Sequence, residues 1–305
     1  MGKNQDVVLP TSDSDTELSN RFSDFFLGEV QTIRDNLQKA NKTNDNVVNV
    51  KFTGQHLTRL VPASSDEIRK LLVKSPSKSC ELDPMPTYLL KLCVNNVLPV
   101  ITAMNNKSLN EMSVPTAFKQ AIVRPFLKKP GLDMNNLKNY RPVSNLPFAS
   151  KIIEKVVASR IEDHLDKHKL HDNRQSAYRS FHSTETALLR VHHDIATALD
   201  NNSCSILVML DLSAAFNVID HGILYQRLEY TFGISGSALT WIKSYLSNRS
   251  QHVAMGSALS DYRALTIGVS QGSVLGPRLY CIFSKPIGDI CECHDMGYHC
   301  YADEY

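Results

Sequence analysis

The chain has 305 residues, of which 42% are hydrophobic, so it can bury a sizeable core and, at about 100–200 residues per domain, hold about two domains. Its 33 basic and 31 acidic residues leave a formal net charge of +2, which excludes one strongly charged surface over the whole chain and allows only local basic patches. No run approaches the roughly 18 consecutive apolar residues that cross a bilayer, and the polar start lacks a signal core, so we expect no membrane partner.

The chain opens with a polar lead-in and one amphipathic helix. Residues 1 to about 20 are rich in Asp, Ser, Thr and Asn, which predicts disorder because burial cannot offset the entropy of ordering them. From Leu18 to Leu37 apolar residues recur at helical spacing, and the polar run 41–46 then ends the pattern. This pattern predicts a helix followed by a linker.

Three further helices are predicted before the pattern changes near Pro115. Ser64 and Glu67 form a capping box, in which two side chains satisfy backbone N–H groups at a helix start. Apolar spacing over 88–97 and 100–109 predicts two more helices, with Pro99 as the break between them. The first third of the chain is therefore expected to be mostly helical.

A strand and a basic turn are predicted next. Residues 120–127 (QAIVRPFL) have the composition of a β-strand, and residues 128–131 (KKPG) that of a turn. Between Lys119 and Arg141 lie six basic residues and one acid, Asp133. This stretch is the most cationic of the chain and the candidate for a local basic surface.

Helices dominate the region after the basic stretch. Apolar periodicity predicts helices over 150–165 and 183–199, with Ser150 and Ser183 as their N-caps. The remaining predicted elements are a helix from His221 to Phe232, a helix carrying Trp241, a hairpin of strands near 252–255 and 263–267, and a helix after the glycine-rich turn 268–272.

Acidic residues follow two short segments of strand length. The apolar run 205–210 predicts a strand buried on both faces, and it ends in Asp211. Asp303 and Glu304 follow a second such segment, 92 residues after Asp211. Acids at strand ends are also common in turns, but two acidic strand tips side by side would form a divalent-ion site. Phosphoryl transfer to a nucleotide uses two Mg²⁺ about 3.5–4 Å apart, held by oxygen ligands.

Three ordered segments around these acids carry a family resemblance. They are 210–221 (LDLSAAFNVIDH), 268–277 (GVSQGSVLGP) and 301–304 (YADE). They resemble the palm motifs of reverse transcriptases from LINE-type, Jockey-like non-LTR retrotransposons. Segments that resemble the fingers motifs of the same group are 137–146 (LKNYRPVSNL), 151–155 (KIIEK), 175–179 (QSAYR) and 183–188 (STETAL). Since residues 79–131 also resemble the region before the fingers, the resemblance covers nearly the whole chain.

The resemblance implies a fold and a division of the chain. The fold is a right-hand polymerase of the α+β class, with fingers, an incomplete palm of antiparallel sheet and packed helices, and no thumb. The implied segments are 1–60, a partly disordered lead-in with an amphipathic helix; 61–115, a helical pre-fingers region; 116–205, a fingers-like region; and 206–305, a palm truncated at its catalytic motif.

The resemblance also implies a catalytic metal site. Asp211 and Asp303 would be the principal ligands of two Mg²⁺ ions, with Glu304 beside them and the backbone carbonyl of Leu212 as a further candidate ligand. Phe216 would crowd the sugar 2′ position and favour deoxynucleotides, although the sequence alone supports a core aromatic equally well.

Four further residues would contact the nucleotide or template. Arg141 and Lys128, or its neighbour Lys129, would face the incoming triphosphate, although a solvated basic loop is the ordinary alternative for a lysine there. Gln271 and Gly272 would open a helix at which backbone approaches a nucleotide or template strand, and a plain N-cap turn is their alternative.

The implied activity is that of an RNA-directed DNA polymerase. It extends the 3′-hydroxyl of a DNA primer or nicked target DNA on an RNA template, using deoxynucleoside triphosphates. Glu304 and Asn217 stand where most members carry Asp, and Ser270 where they carry Pro. Because Asp303 also lies near a chain end that should fray without a partner strand, we expect weak or no activity. The alternatives are a catalytically inactive nucleic-acid-binding remnant and a partially folded relic.

Cysteine and histidine usage adds little to this account. Seven cysteines, an odd number without a secretory leader, favour a reduced intracellular compartment, nuclear or cytoplasmic. Residues 291–294 (CECH), with His299 and Cys300, include metal-type ligands, but their spacing is not that of a paired zinc knuckle, so we do not expect structural zinc there. The pair 192–193 lies off the apolar face of its helix and should face solvent.

Overall fold

In the computed structural model, which describes residues 9–10, 14–40, 50–77 and 80–305, the first third of the chain is mostly helical. The predicted amphipathic helix is confirmed as α1 (Asp15–Ala40), whose first turn carries two acids that favour a helix N-terminus. The predicted disordered lead-in therefore ends earlier than residue 20. Most of its remainder, and the predicted linker 41–46, lie outside the described residues.

Three shorter helices precede the first strand. They are α2 (Ser65–Lys74), α3 (Thr87–Leu92) and α4 (Val94–Asn110). The Ser64 hydroxyl accepts a hydrogen bond from the Glu67 N–H at 3.2 Å, which confirms the predicted cap. The predicted break at Pro99 is wrong, because α4 continues through it. A proline near a helix start removes one backbone bond, and the burial of Leu98 and Ile101 in the core keeps the helix in place.

Five strands form one mixed sheet. They are β1 (Gln120–Leu127), β2 (Tyr140–Asn145), β3 (Arg249–Met255), β4 (Ala258–Leu259) and β5 (Arg263–Leu265). β1 pairs with β2 antiparallel and with β3 parallel, and β4 and β5 both pair with β3 antiparallel. The α+β class and the hairpin are confirmed, but the sheet is not wholly antiparallel. β1 and β3 are parallel, and the chain between them is long and mostly helical. A short turn could not connect two parallel strands.

Five further helices follow or flank the sheet. They are α5 (Phe148–His168), α6 (Thr184–Asp200), α7 (His221–Tyr230), α8 (Gly236–Leu246) and α9 (Gly276–Cys293). Ser183 caps α6 as predicted. Ser150 does not cap α5, which begins at Phe148 because Asp83 from a distant segment accepts the Phe148 N–H at 2.7 Å. None of the described helices is long and apolar enough to cross a bilayer.

Two hydrophobic cores hold the elements together. The larger joins the buried side of α5, including Ile152 and Ile161, to α8 around Trp241 and to α9. The smaller joins α1 to the sheet, where the Phe22 ring meets the edge of Tyr140 at 4.9 Å between centroids. The main core unites residues of all four segments inferred from sequence, and that division stays a prediction.

The apolar segment before Asp211 differs from its prediction. Residues 203–210 form no strand, and Ile206 and Met209 are 91% and 83% exposed, so the predicted buried strand over 205–210 is wrong. An apolar run is buried only where other layers cover it. Among the described residues, backbone pairing of this run with the chain end begins at its last residue, Leu210.

Candidate functional site

The end of the chain folds back onto the segment around Asp211. The Leu210 N–H donates to the Tyr305 carbonyl at 2.7 Å, and the Tyr305 N–H donates to the Leu210 carbonyl at 2.9 Å. Two residue pairs further on, the Leu212 N–H donates to the Asp303 carbonyl at 3.1 Å. These three bonds form a short antiparallel pair between segments 93 residues apart in the chain.

Three carboxylates lie on this pair. Asp211 is directly opposite Glu304, and Asp303 is one residue removed. Asp211 and Glu304 are exposed, and Asp303 is half-buried. Their oxygens, with the nearby Leu212 carbonyl, are the hard donors that Mg²⁺ prefers, so the donor set fits such an ion. Within the described residues the three side chains do not form a group whose ligand atoms all lie within 4.8 Å of one another.

A glutamine holds the turn that carries these acids. Tyr301 and Glu304 exchange backbone hydrogen bonds at 2.9 and 3.2 Å, and Ala302 has a left-handed φ of 59°. The Gln175 side chain accepts the Ala302 N–H at 3.0 Å and donates to the Ala302 carbonyl at 3.2 Å. The expectation that this end is loose for want of a partner is therefore wrong. The loop before α6 supplies the partner, since the Cys300 N–H also donates to the Arg174 carbonyl at 2.9 Å.

Aromatic side chains line the region around Asp303. Burial, followed by the charge of Asp303, raises the pKa of Tyr178 to about 12. Burial is also the first cause that raises the pKa of Tyr280, with the neighbouring Tyr305 hydroxyl and Asp303 contributing. The Tyr280 ring lies 5.1 Å from that of Phe216. Phe216 is half-buried and packs against the main core, so the core alternative considered from sequence has direct support.

The glycine-rich turn 268–272 docks against the segment after Asp211. The Val269 N–H donates to the Phe216 carbonyl at 2.8 Å, and the Gly268 N–H donates to the Ile219 carbonyl at 2.9 Å. Gly268 has a φ of +75°, and a Cβ built there would lie 2.6 Å from the Asn217 carbonyl oxygen. Only glycine fits this approach without strain.

The same turn also touches β2. The Ser144 N–H donates to the Gln271 carbonyl at 2.7 Å. Gly272 has a φ of +119°, and a Cβ there would lie 2.4 Å from the Ser144 carbonyl oxygen. Gln271 and Ser144 line a cleft of about 320 Å³ that is open to solvent and is bounded on one side by Arg34 of α1. This volume is at the lower end of the range for small-molecule sites.

Comparison with known proteins identifies the family of this chain. Residues 127–305 match the family described as "Reverse transcriptase (RNA-dependent DNA polymerase)". The chain belongs to the reverse transcriptase family. It is 30% identical over 267 residues to the probable RNA-directed DNA polymerase from transposon X-element of Drosophila melanogaster, covering 88% of this chain and 28% of that protein.

Two further relatives show that this chain is related to the reverse transcriptases of non-LTR retrotransposons. The RNA-directed DNA polymerase from mobile element jockey of Drosophila melanogaster is 28% identical over 247 residues, covering 78% of this chain and 26% of that protein. A Pol polyprotein from the type-1 retrotransposable element R2 of Popillia japonica is 25% identical over 169 residues, covering 55% and 23%. The chain thus spans about a quarter of the length of these relatives.

The basic stretch from Lys119 to Arg141 divides into buried and exposed parts. Lys119 is buried, and burial, followed by the nearby Arg249, lowers its pKa. Arg124 forms an ion pair with Glu81. The exposed cations are near the tip of the β1–β2 hairpin, at positions Lys128, Lys129, Lys138 and Arg141.

The structure does not bring every predicted nucleotide contact to one point. Arg141 precedes Ser144 by three residues in β2, which corresponds to about 10 Å along an extended strand. Arg141 is therefore about that far along the strand from the hydrogen bond between Ser144 and Gln271. Lys128 follows directly after β1, where its N–H donates to the Asn139 carbonyl at 2.8 Å. The hairpin therefore places both cations toward the end of β2 that is farther from the bond between Ser144 and Gln271.

Sequence reasoning missed one buried acid that supports the glycine-rich turn. Glu154 of α5 is 1% exposed and accepts the Val274 and Leu275 N–H groups at 2.7 and 3.1 Å. It also accepts the Tyr245 hydroxyl at 3.1 Å and the Ser150 hydroxyl at 3.2 Å. The sequence feature that could have revealed this role is the position of Glu154 on the apolar face of its helix. A carboxylate on that face is buried and needs buried hydrogen-bond donors.

Proposed function

We propose that this chain carries the nucleotidyl-transfer centre of an RNA-directed DNA polymerase. It extends the 3′-hydroxyl of a DNA primer or nicked target DNA on an RNA template, with deoxynucleoside triphosphates as substrates. The observation that carries the proposal is the backbone pairing of residues 210–212 with 303–305, which sets two acidic segments side by side. Phosphoryl transfer depends on such paired carboxylates.

Asp211 and Asp303 would hold the divalent ions, assisted by the Leu212 carbonyl. When bound, Mg²⁺ supplies charge stabilisation to the attacking and leaving oxygens. Glu304, opposite Asp211, offers a further carboxylate on a side chain one methylene longer than aspartate. The protein's own contribution is to fix these oxygens, through the antiparallel pair and through Gln175, before substrate arrives.

Other residues would orient the substrates. Arg141 and Lys128 would bind the triphosphate, where a guanidinium offers two parallel donors and an ammonium a point charge. Phe216 would limit space beside the sugar 2′ carbon while its ring remains packed on Tyr280. Gln271 and Gly272 would let backbone approach the nucleotide or template strand at the cleft.

Primer extension on an RNA template tests the proposal. The wild-type chain is compared with Asp211→Ala and with Glu229→Ala, an exposed acid of α7 that serves as the matched control. We expect magnesium-dependent incorporation by the wild type and the control, and at least a hundredfold less by Asp211→Ala. Equal incorporation by all three proteins would dismiss the metal role of Asp211.

A nucleic-acid-binding remnant without catalysis is the second candidate, and the four exposed hairpin cations favour it. It predicts RNA binding that weakens steeply with salt, with a slope reduced by about 0.7 for each phosphate contact removed. Replacing Lys128 and Lys129 together by Ala should lower that slope, while Asp211→Ala should leave it unchanged. Salt-independent RNA binding would rule this candidate out.

A further inference from the structure

Three metal-type ligands meet at the C-terminal end of α5, and none of them is one of the acids around Asp211. Glu162 and Asp166 are four residues apart, so their side chains share one face of the helix. Lys169 adopts a left-handed φ of 53°, and the Leu170 N–H donates back to the Leu165 carbonyl at 2.9 Å. This helix ending reverses the chain direction.

The reversal brings His171 against both acids. Its Nε2 lies 2.9 Å from Asp166 Oδ1 and 3.5 Å from Glu162 Oε1. All three ligand atoms lie within 4.8 Å of one another. Ligands around a tetrahedral zinc ion, at about 2.0–2.2 Å from the metal, are separated by about 3.3–3.6 Å. The observed spacing is therefore close to that of a cation site before small side-chain adjustment.

His171 Nε2 faces the carboxylates of both acids. This buried atom lies within ion-pair distance of Asp166 and Glu162 but is not aligned for a hydrogen bond with either. A nitrogen held between two carboxylates can serve as the third ligand of a cation that both carboxylates bind. The neutral imidazole nitrogen is a common ligand for divalent transition metals.

The surroundings orient the site and give access to it. Arg278 of α9 donates to Glu162 Oε2 at 3.2 Å, which leaves Oε1 directed at His171. A small cavity of about 40 Å³ borders Glu162, His171 and Arg278. Asp166 is 68% exposed on the solvent side. An ion could enter there and keep a water as its fourth ligand.

We propose that Glu162, Asp166 and His171 bind a divalent transition metal of the zinc class. One nitrogen and two carboxylate oxygens suit zinc better than Mg²⁺, which favours oxygen ligands alone. The ion joins the last turns of α5 to the loop that follows, and through Arg278 to α9. The proposed role of the ion is to join these elements, and none of its three ligands is one of the acids near Asp211.

Zinc titration of the full chain in excess Mg²⁺ tests the site, with the thermal midpoint and the visible absorption of bound Co²⁺ as two readouts. Zinc should raise the midpoint of the wild type, because an ion bound by the native state stabilises it. Asp166→Asn and His171→Gln should each weaken binding at least tenfold. Asp166 is largely exposed, so its substitution leaves folding intact.

Two controls make the outcome specific. Asp163→Asn changes an exposed acid on the same helix, and Asp211→Ala removes the proposed catalytic ligand, and both should keep full zinc binding. Absence of a zinc-dependent shift in the wild type would overturn the site and leave an ordinary ion pair of His171 with the acids. Equal zinc binding by wild type and His171→Gln would also overturn it. Neither result changes the outcome expected of the primer-extension experiment.

Discussion

The Gln175 side-chain amide bonds both backbone groups of Ala302, accepting its N–H at 3.0 Å and donating to its carbonyl at 3.2 Å. The two residues are 127 positions apart in the chain. Gln175 is 5% exposed, so water cannot readily replace these bonds. One side chain of the loop before α6 thus fixes the turn that presents Asp303.

Removing this amide should loosen the turn. Gln175→Ala leaves three backbone groups without this partner, the N–H and carbonyl of Ala302 and the Ala177 N–H, so we expect a loss of about 1–3 kcal/mol or more in the free energy of unfolding and faster amide hydrogen exchange at residues 301–305. Urea unfolding and exchange mass spectrometry measure both effects. Gln226→Ala, at an exposed site on α7, is the control. Unchanged exchange at the turn in Gln175→Ala would contradict the assigned role.

A methyl group at Gly268 should separate the glycine-rich turn from the segment after Asp211. Its φ of +75° disfavours any Cβ, and the Asn217 carbonyl leaves no space for one. We expect Gly268→Ala to cost about 2 kcal/mol or more in unfolding free energy. Gly297→Ala, where nothing lies within 4 Å, should change it by less than about 0.5 kcal/mol. Equal urea midpoints for the two variants would refute this packing.

Glu154 should discriminate sharply between two substitutions. Glu154→Ala leaves the Val274 and Leu275 N–H groups and the Tyr245 hydroxyl without an acceptor. We expect this change to lower the free energy of unfolding by about 3–5 kcal/mol. Glutamine can keep an oxygen in that position and offer its amide to Ser150, so a loss of about 1–3 kcal/mol is expected. Chemical denaturation of both variants measures the difference. Similar losses would mean that the hydrogen bonds do not determine the role of this side chain.

Stability should fall as the solution is acidified through the usual histidine range. Burial lowers the pKa of His164, an effect only partly offset by its bond to the Phe232 carbonyl. The unfolded chain therefore binds a proton at a higher pH than the native one, and stability is lost as pH falls below about 6.5.

His164→Gln should flatten this pH dependence, because no proton then distinguishes the two states at that site. His299, whose pKa burial also lowers, should keep part of the slope. Urea unfolding at several pH values between neutrality and mild acid provides the measurement. A slope unaltered by the substitution would exclude His164 as a source.

Local patterns in the sequence predicted much of the fold. Strand β1 has the predicted bounds, and the Ser183 cap and the helix around Trp241 follow from short-range rules. The pairing of the segments around Asp211 and Asp303 was also expected, although Glu304 rather than Asp303 faces Asp211. The roles of these acids in catalysis stay a prediction.

Long-range contacts explain what the sequence could not predict. The apolar run 205–210 is exposed, because its burial depends on layers that its own composition does not determine. The sequence predicts one basic surface that includes Arg124 and Lys119. In the structure Arg124 forms an ion pair with Glu81, and Lys119 is buried. The roles of Gln175 and Glu154 depend on partners more than 90 residues away.

The central claim is that Asp211 and Asp303 share one divalent-ion site. Mn²⁺ titration followed by electron paramagnetic resonance tests it in a chain carrying Asp166→Asn, so that the group near His171 does not contribute. Asp211→Asn and Asp303→Asn are measured singly and together. A shared ion predicts weaker binding in each and a coupling of about 0.5–3 kcal/mol between them. Unchanged affinity, or effects that simply add, would contradict it.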